Sequence, residues 1–375
     1  MNLTRRSFIK KSTMAASAIG TITILPQRVW SASVAPSDKV NVALIGCNNM
    51  GFGILGHHLD TQMVNCVAFC DVDKNVLNAK AQEVKNRYDL QPALYGDYRR
   101  VLERHDVDAV IIGTPDHWHC LIMVDACQAG KDVYVEKPMA NTIGECNIMV
   151  KAAKKYNRVV QVGQQQRNSK VFKDVMDLIK NGEIGKLRKV NIWANFNYGL
   201  GTIPRPDSEV PPGVDYDMWL GPAPKRPFNP NRFHGSWRHF WDYGGGLMSD
   251  WGVHLIDMGL WVTDLVEGPE KVITYAANLC PKTMHRDTFD TMNVIFPKKD
   301  YVIAWDMTAG IQQGPFDSSY GVQFIGDNAT ICADRLKYRL YPEWDEEKKT
   351  PKAKAVSYDK GSESHRQHVD NFLHC

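Results

Sequence analysis

The residues with the clearest chemical pattern form a turn between a short apolar run and a region typical of a helix, Gly46-Cys47-Asn48-Asn49-Met50-Gly51. Glycines permit a tight turn and a close backbone approach, and a helix that begins here offers free N–H groups to a phosphate. Asp71 ends the next apolar run, about 20 residues after Gly51, where a carboxylate can bind ribose hydroxyls and repel a 2′-phosphate. The pattern therefore predicts dinucleotide contacts from Gly46, Asn48, Asn49, Met50, Gly51 and Asp71.

The turn departs from the usual G-x-G-x-x-G pattern, because Asn48 stands where the middle glycine is expected. Asn adopts left-handed backbone more readily than most residues with a side chain, but its side chain could crowd a phosphate. The glycines alone leave a plain turn open, and a helix cap is the alternative for Asp71. No arginine stands in Cys70-Asp71-Val72-Asp73. We therefore expect NAD, with NADP as the less favoured cofactor.

The elements that would position this turn alternate between strand and helix from Lys39 onward. The predicted strands are residues 40–45, 64–70, 108–113, 132–135 and 159–162, and the predicted helices are residues 53–61, 76–88, 119–129 and 142–156. Strands that are continuous apolar runs between helices indicate a parallel sheet covered on both faces. The sequence therefore predicts an α/β fold with a doubly wound Rossmann domain over residues 38–162.

The second half, residues 163–375, has the pattern of a second α/β domain. A helix is predicted over residues 170–181, and strands over residues 187–196, 270–277, 290–296, 301–307 and 320–325. Several of these strands alternate with period two, which is typical of a sheet with one wet face. A long segment rich in Pro, Gly and aromatic residues, 199–246, is predicted to be ordered and functional. The last residues, from Ser364, begin an amphipathic helix without a cap, so we expect that C-terminal chain is missing.

Residues 1–35 are predicted to be an export signal rather than part of the fold. The run Thr4-Arg5-Arg6-Ser7-Phe8-Ile9-Lys10 matches the twin-arginine pattern, and small residues around Ser31-Ala32-Ser33 suit a signal peptidase. The mildly apolar stretch between them is too short and too polar to span a membrane. We therefore expect a periplasmic protein that has no membrane attachment once the signal is cleaved.

Charge and cysteine usage exclude several other classes of function. A net charge of +3 over 375 residues lacks the concentrated basic face that nucleic acid requires. The nine cysteines are scattered, without a CxxC pair or Cys/His metal spacing, and their disulfide pairing stays open. Asp116, His117 and His119, like His254 and Asp257, also lack a regular ligand spacing, so no metal site is predicted.

Three further motifs lie downstream of the turn: Gly113-Thr114-Pro115-Asp116-His117-Trp118-His119, Glu136-Lys137-Pro138, and a run from Gly244 to Asp257 that contains Asp250 and His254. In order and spacing the chain resembles the Gfo/Idh/MocA oxidoreductases, named for glucose-fructose oxidoreductase and inositol dehydrogenase. The resemblance extends from about Lys39 onward, without the C-terminal end. The run from Tyr216 to Pro224 resembles the exported branch of that family.

The resemblance implies an N-terminal Rossmann domain and a C-terminal α/β domain with a large open, mostly antiparallel sheet, whose outer face often forms homo-oligomers. It also implies hydride transfer between a nicotinamide cofactor and a sugar or polyol. Lys137 would lie beside the nicotinamide and the substrate, and the peptide before Pro138 is often cis in this family. Asp250 and His254 correspond to the D-x-x-x-H motif. His254 would act as general base and Lys137 would stabilise developing alkoxide. On a helix, Asp250 would share a face with His254, where it could orient the imidazole or bind a substrate hydroxyl.

Further contacts complete the predicted site, each with a structural role as its alternative. The further cofactor residues are Thr114, Pro115, His119, Glu136, Lys137 and Gln165. The substrate residues are Arg167, Trp237, Arg238, Asp250 and His254, with His239 and Trp241 as further members of a carbohydrate-stacking wall. The expected ligand is a small carbohydrate. Two other functions stay open: a glycosidase that works by transient oxidation and elimination on bound NAD, and a non-catalytic sugar-binding protein, which the Asn48 departure motivates.

Overall fold

The computed structural model describes residues 38–262, 268–280, 284–361 and 363–375, and two β-sheets carry the fold within these ranges. The predicted export signal lies outside the described residues. No helix of the described ranges is long and apolar enough to cross a membrane. All nine cysteines fall within these ranges, and each is a free thiol.

The first sheet has six parallel strands in the order β3-β2-β1-β4-β5-β6. These strands are β1 (Val40–Ile45), β2 (Val64–Cys70), β3 (Ala93–Tyr95), β4 (Ala109–Ile112), β5 (Asp132–Val135) and β6 (Val160–Val162). The helices that connect them are α1 (Asn49–Leu59), α2 (Lys74–Tyr88), α3 (Tyr98–Leu102), α4 (Asp116–Gln128) and α5 (Ile143–Tyr156). An apolar core lies on each face of the sheet, and this strand order is that of a doubly wound dinucleotide-binding fold. The predicted Rossmann sheet is therefore confirmed.

Three helices, α1, α2 and α4, begin two to four residues earlier than the sequence predicted. Asn48 caps α1 and Asp73 caps α2 through side-chain oxygens that accept backbone N–H bonds. Pro115 immediately precedes α4, and the backbone N–H that proline lacks would have no partner within the helix at this position. The short elements β3 and α3 were not predicted, since three to five residues carry too little periodicity.

The second sheet has eight strands in the order β16-β13-β12-β11-β7-β10-β9-β8. Its strands are β7 (Leu187–Phe196), β8 (Ile273–Ala277), β9 (Thr291–Pro297), β10 (Val302–Ala309), β11 (Tyr320–Gly326), β12 (Ala329–Ala333), β13 (Tyr338–Pro342) and β16 (Val356–Tyr358), and β14 (Trp344–Asp345) pairs separately with β15 (Thr350–Pro351). The β7–β10 pair is parallel and the other pairs are antiparallel. The mostly antiparallel sheet is therefore confirmed.

One face of the second sheet is covered by two helices, α6 (Lys170–Lys180) and α8 (Val253–Trp261), which share an apolar core with its strands. The alternation of buried and exposed residues along β10 explains the period-two pattern in the sequence. On the edge strand β8, Ile273 and Tyr275 are exposed. The sheet thus has one packed face, and α8 carries the C-terminal part of the Asp250/His254 motif.

The segment of residues 199–246 is ordered by its own aromatic cluster, as the sequence predicted. Its short helix α7 (Tyr216–Leu220) contributes to this cluster, whose members are Trp219, Leu220, Ala223, Phe228, Phe233, Trp237, Phe240 and Tyr243. Backbone bonds attach the segment to the first domain, from Lys74 N to Gly213 O (2.9 Å) and from Asp215 N to Val72 O (2.9 Å). The segment therefore packs beside the carboxyl end of β2.

The last helix, α9 (Ser364–His374), buries Phe372 in the apolar core of the first domain. The Phe372 ring lies edge-on to the rings of His58 and Tyr134, with centroids 6.0 and 5.9 Å away. Gln161 Nε2 of β6 donates to His368 O (2.7 Å). The residues from Ser364 onward are thus part of the packing of the Rossmann domain.

This packing predicts that Phe372→Ala lowers the free energy of unfolding by about 3–5 kcal/mol, because it leaves a cavity in the first domain's core. Asn371→Ala, at the exposed neighbour, is the matched control and should change stability by less than about 0.5 kcal/mol. Urea unfolding followed by tryptophan fluorescence measures both. Equal small effects of the two substitutions would show that α9 does not pack as described.

Candidate active site

The carboxyl ends of the first sheet's strands open into a cavity of about 470 Å³, which is the size of a small-molecule site. The first domain contributes the turn of residues 46–50, Asp71, residues 113–116, and Glu136 with Lys137. The second half contributes residues from the 199–246 segment, from the start of α8, and Arg335 after β12. Ten of the twelve predicted cofactor residues line this cavity: Gly46, Asn48, Asn49, Met50, Asp71, Thr114, Pro115, Glu136, Lys137 and Gln165.

The glycines of the turn are required by close backbone approach. Gly46 has φ +87°, and a Cβ there would lie 2.7 Å from the carbonyl carbon of Gly113. A Cβ on Gly51 would collide with the carbonyl oxygen of Gly46, so Gly51 acts behind the cavity lining rather than in it. The N-terminus of α1 therefore packs directly against β1 and β4, as a dinucleotide turn requires.

Asn48 is accommodated without the missing glycine, because its φ of −83° lies in the extended region. Its Oδ1 accepts from Asn49 N (2.9 Å), which caps α1. Its amide nitrogen lies 3.2 Å from Nδ1 of His234, whose Nε2 lies 3.1 Å from Asp73 Oδ2. The side chain is thus held in a polar chain that joins the turn to the 199–246 segment.

Asp71 ties the turn to the end of β2. Its Oδ2 accepts from Cys47 N (2.8 Å) and its Oδ1 accepts from Asp73 N (3.0 Å). Burial raises the pKa of Asp71, and these two backbone bonds act in the opposite direction. The helix cap that was its alternative role belongs to Asp73, which accepts from Asn75 N (2.9 Å).

A buried ion pair joins the two halves of the cavity. Lys137 Nζ, after β5, lies 2.5 Å from Asp250 Oδ1 and donates to Asp250 O (3.0 Å). Arg238 Nε lies 3.4 Å from the same carboxylate oxygen, and Tyr198 donates its hydroxyl to Asp250 Oδ2 (3.3 Å). Burial acts to raise the pKa of Asp250, but Lys137 and Arg238 outweigh it, so this pKa lies below its usual value. The Lys137–Pro138 peptide is cis.

The predicted pairing of Asp250 with His254 is not observed. Residues 248–252 form a π-helical turn before α8, and the side-by-side spacing of an α-helix does not apply within it. The Asp250 carboxylate instead contacts Lys137, Arg238 and Tyr198. Asp250 therefore holds the ammonium and not the imidazole.

His254 is nearly fully buried and lines the cavity. Burial, together with the charges of Lys137 and Arg335, lowers its pKa well below the usual value. No residue of the described ranges hydrogen-bonds its Nδ1. Burial thus favours the neutral imidazole, and its Nδ1 is available to a ligand.

Two buried carboxyl groups lie beside this pair, and one of them was missed as a site residue. Burial raises the pKa of Asp116 to about 8 and that of Glu136 to about 7, against the opposing charges of Lys137 and Arg238. Asp116 belongs to the Gly113–His119 motif, which could have pointed to it. Trp251, within the Gly244–Asp257 motif, also lines the cavity, as do Tyr198 and Arg335, which no local sequence pattern marks.

Besides Gly51, three predicted contacts lie outside the cavity lining. His119 braces two loops behind it, with Nδ1 2.8 Å from Pro138 O and Nε2 2.9 Å from Thr114 O. Arg167 forms a bidentate pair with Asp257 (2.7 and 2.8 Å), and Trp241 is half-exposed. The remaining predicted substrate residues, Trp237, Arg238, Asp250 and His254, do line the cavity, as does His239. Within the described ranges no group of His, Cys, Asp and Glu side chains is placed to hold a metal.

The fold and turn define a dinucleotide-binding protein of the Rossmann class, and comparison with known families agrees. Residues 40–164 match the oxidoreductase family with an NAD-binding Rossmann fold, and residues 168–281 match the C-terminal alpha/beta domain of the same family. Together these matches cover well over half of the chain. The protein therefore belongs to the Gfo/Idh/MocA oxidoreductase family.

Similar proteins include sugar-related enzymes. A glycosyl hydrolase family 109 protein of Shewanella baltica is 28% identical over 205 residues, which are 50% of this chain and 44% of that protein. The WlbA dehydrogenase of Bordetella pertussis, solved with NADH and UDP-GlcNAcA, is 21% identical with a TM-score of 0.57, covering 78% of this chain and 77% of its own. The aldose-aldose oxidoreductase of Caulobacter crescentus, solved with glycerol, is 18% identical with a TM-score of 0.65, covering 90% and 89%.

The buried carboxyl of Asp116 predicts a pH-dependent stability. The pKa of Asp116 in the folded protein lies above that in the unfolded chain. The contribution of this group to folding stability is therefore present at low pH and is lost as pH rises through about 8. The free energy of unfolding of Asp116→Asn, taken relative to that of the wild type, should therefore rise by on the order of 3–5 kcal/mol between about pH 5 and about pH 9. Urea unfolding at both pH values measures this. Asp359→Asn, at an exposed carboxyl, is the control, and an equal response of the two variants would contradict the burial argument.

Proposed function

We propose that this protein is an NAD-dependent oxidoreductase that transfers hydride between a tightly held nicotinamide cofactor and a sugar, polyol or sugar derivative. The observation that carries the proposal is the Lys137–Asp250 ion pair, with 2.5 Å between Nζ and Oδ1, in the same cavity as the dinucleotide turn. An ammonium fixed in this way can stabilise negative charge on a substrate oxygen.

The residues of the cavity fit such a cofactor. The turn from Gly46 to Met50 would hold the pyrophosphate at the N-terminus of α1, and Asp71 would accept from the ribose hydroxyls. A buried carboxylate at Asp71 disfavours a 2′-phosphate, which supports NAD over NADP. Thr114 Oγ1 is buried without a hydrogen-bond partner among the described residues, so a ligand could satisfy it. When bound, the nicotinamide supplies the hydride-accepting chemistry.

The protein's own residues manage the hydroxyl proton. Lys137 donates a hydrogen bond to the substrate oxygen and favours its ionised form, while Asp250 holds the ammonium in place. His254, neutral because burial lowers its pKa, accepts the proton. Asp116 stays uncharged near neutral pH, which preserves the positive potential around the developing alkoxide.

Export and assembly are part of the proposal. The Arg5-Arg6 pair and the small residues near Ser31 support twin-arginine export to the periplasm. Exposed apolar residues of the second sheet, Ile273 and Tyr275 among them, support a homo-oligomer formed through that sheet's outer face. Export of the folded protein suits an enzyme that acquires its nucleotide before it leaves the cytoplasm.

A glycosidase that works by transient oxidation is the second candidate function, and the family 109 relatives favour it. It would use the same cavity and the same bound nucleotide. Incubation of the purified protein with aryl glycosides separates the two functions. Release of the aryl group without added NAD and without net oxidation would support the glycosidase. If the aryl glycosides stay intact and free sugars reduce NAD in the presence of the protein, the dehydrogenase is supported.

Lys137→Ala should lower the rate constant for hydride transfer by about 100- to 1,000-fold, because one preorganised charge is lost from the developing alkoxide. Stopped-flow absorbance at the reduced-nicotinamide band, across a panel of sugars and polyols, measures the step. Lys151→Ala, at an exposed lysine of α5, is the control and should react like the wild type. Undiminished transfer in Lys137→Ala would refute the proposed mechanism.

A further inference from the structure

Arg335 is a positioned cation that lines the cavity and that the reaction scheme above does not use. It follows β12, and its guanidinium lies over the Trp251 ring at 4.3 Å from the centroid. The side-chain amide of Gln166 is oriented so that its oxygen accepts from Arg335 Nε (2.7 Å) and Nη2 (3.1 Å). Its nitrogen donates to His254 O (3.0 Å). Gln166 is 1% exposed, so the guanidinium is oriented by a fixed, buried amide.

The charge of Arg335 has no carboxylate partner within ion-pair distance among the described residues. Lys137 and Arg238 already share Asp250, which is the acidic group held firmly ionised at this end of the cavity. Burial lowers the pKa of Arg335, and the groups that oppose this effect are Tyr320, Tyr198 and Asp250. A partly buried cation without a counter-ion is costly, and an anionic ligand beside Arg335 would offset that cost.

The free edge of the guanidinium fits a carboxylate. Arginine has five N–H donors, and Gln166 uses one on Nε and one on Nη2, which leaves the Nη1/Nη2 edge. Two parallel N–H groups on that edge match the two oxygens of a carboxylate. The groups that act electrostatically on Arg335 are Tyr198, Tyr320 and the shared carboxylate of Asp250, and Trp251 covers one face of the guanidinium, so no second cation stands at hand in this set to neutralise a second negative charge. This setting suits a singly charged carboxylate better than a phosphate dianion.

The surroundings of Arg335 favour a substrate anion over an anion of the cofactor. The dinucleotide turn is linked to His234 and Asp73 through Asn48, whereas the groups that act on Arg335 are those around Asp250. Trp251 and Gln166 connect Arg335 directly to the π-helical turn and to the His254 backbone. Arg335 therefore lies at the end of the cavity where the proton is handled.

We infer that the substrate is a sugar acid, a uronic or aldonic acid, whose carboxylate pairs with Arg335 while its reacting hydroxyl lies at Lys137. This inference rests on the proposed oxidoreductase function and specifies its substrate class. Specificity then comes from one charged contact, because a neutral sugar in the same place would leave the guanidinium unpaired.

Steady-state kinetics with matched substrates tests the inference. D-glucuronate, D-galacturonate and D-gluconate should give a kcat/KM about 10- to 100-fold above that of D-glucose, D-galactose and D-glucitol. Arg335→Met should raise KM for the acids by about the same factor, so that the preference for acids over neutral sugars disappears, and Arg335→Lys should restore part of that preference. Arg339→Met, at an exposed arginine of β13, is the matched control.

Binding measured without turnover keeps the two proposals separable. Quenching of tryptophan fluorescence in the NAD-saturated protein should report tighter binding of D-glucuronate than of D-glucose, and Arg335→Met should abolish the difference. Tighter binding of D-glucose 6-phosphate than of D-glucuronate, or a loss of NAD affinity in Arg335→Met, would overturn the inference. Turnover of neutral sugars without preference for acids would also overturn it and leave the proposed function standing. Arg335-dependent binding of glucuronate without hydride transfer between any sugar and NAD would support the carboxylate contact and overturn the proposed oxidoreductase function.

Discussion

The ion pair between Lys137 and Asp250 is the constraint on which the candidate site depends. It connects the loop after β5 of the Rossmann domain to the π-helical turn before α8, and both side chains are largely removed from water. A buried pair of this kind adds little net stability, but loss of either partner leaves an uncompensated charge. Its value is positional, because the ammonium of a flexible lysine is held at one point of the cavity by a carboxylate that Arg238 and Tyr198 fix in turn.

The electrostatics of the cavity follow from this pair and from burial. Asp250 is kept ionised by two cations, whereas burial raises the pKa of Asp116 and of Glu136 toward or above neutrality. Burial lowers the pKa of His254, which favours its neutral imidazole. Acid and base roles are thereby separated by environment rather than by residue type, which is the usual way in which one cavity accommodates both. The excess of positive charge that remains suits an oxyanion and an anionic substrate.

Much of the fold could be predicted from the sequence, because the strands of the first sheet are continuous apolar runs and those of the second alternate. The glycine turn and Asp71 were predictable for the same reason, since strand ends fix their place. Contacts between distant segments were not. The π-helical turn redirects Asp250 from His254 to Lys137, and the link from Asn48 to His234 spans 186 residues. Arg335 reaches the cavity through the pairing of β12 and β13, which no local period encodes.

The central claim is that a nicotinamide dinucleotide occupies the cavity against the ammonium of Lys137. The most direct measurement is to denature the protein as purified, without added cofactor, and to identify and quantify the released nucleotide by mass spectrometry, with calorimetric titration of NAD into any empty fraction. We expect NAD or NADH, with the nucleotide released on denaturation and the NAD taken up in the titration adding up to about one equivalent per chain. Absence of any nucleotide, together with no heat of binding for NAD or NADP, would contradict it.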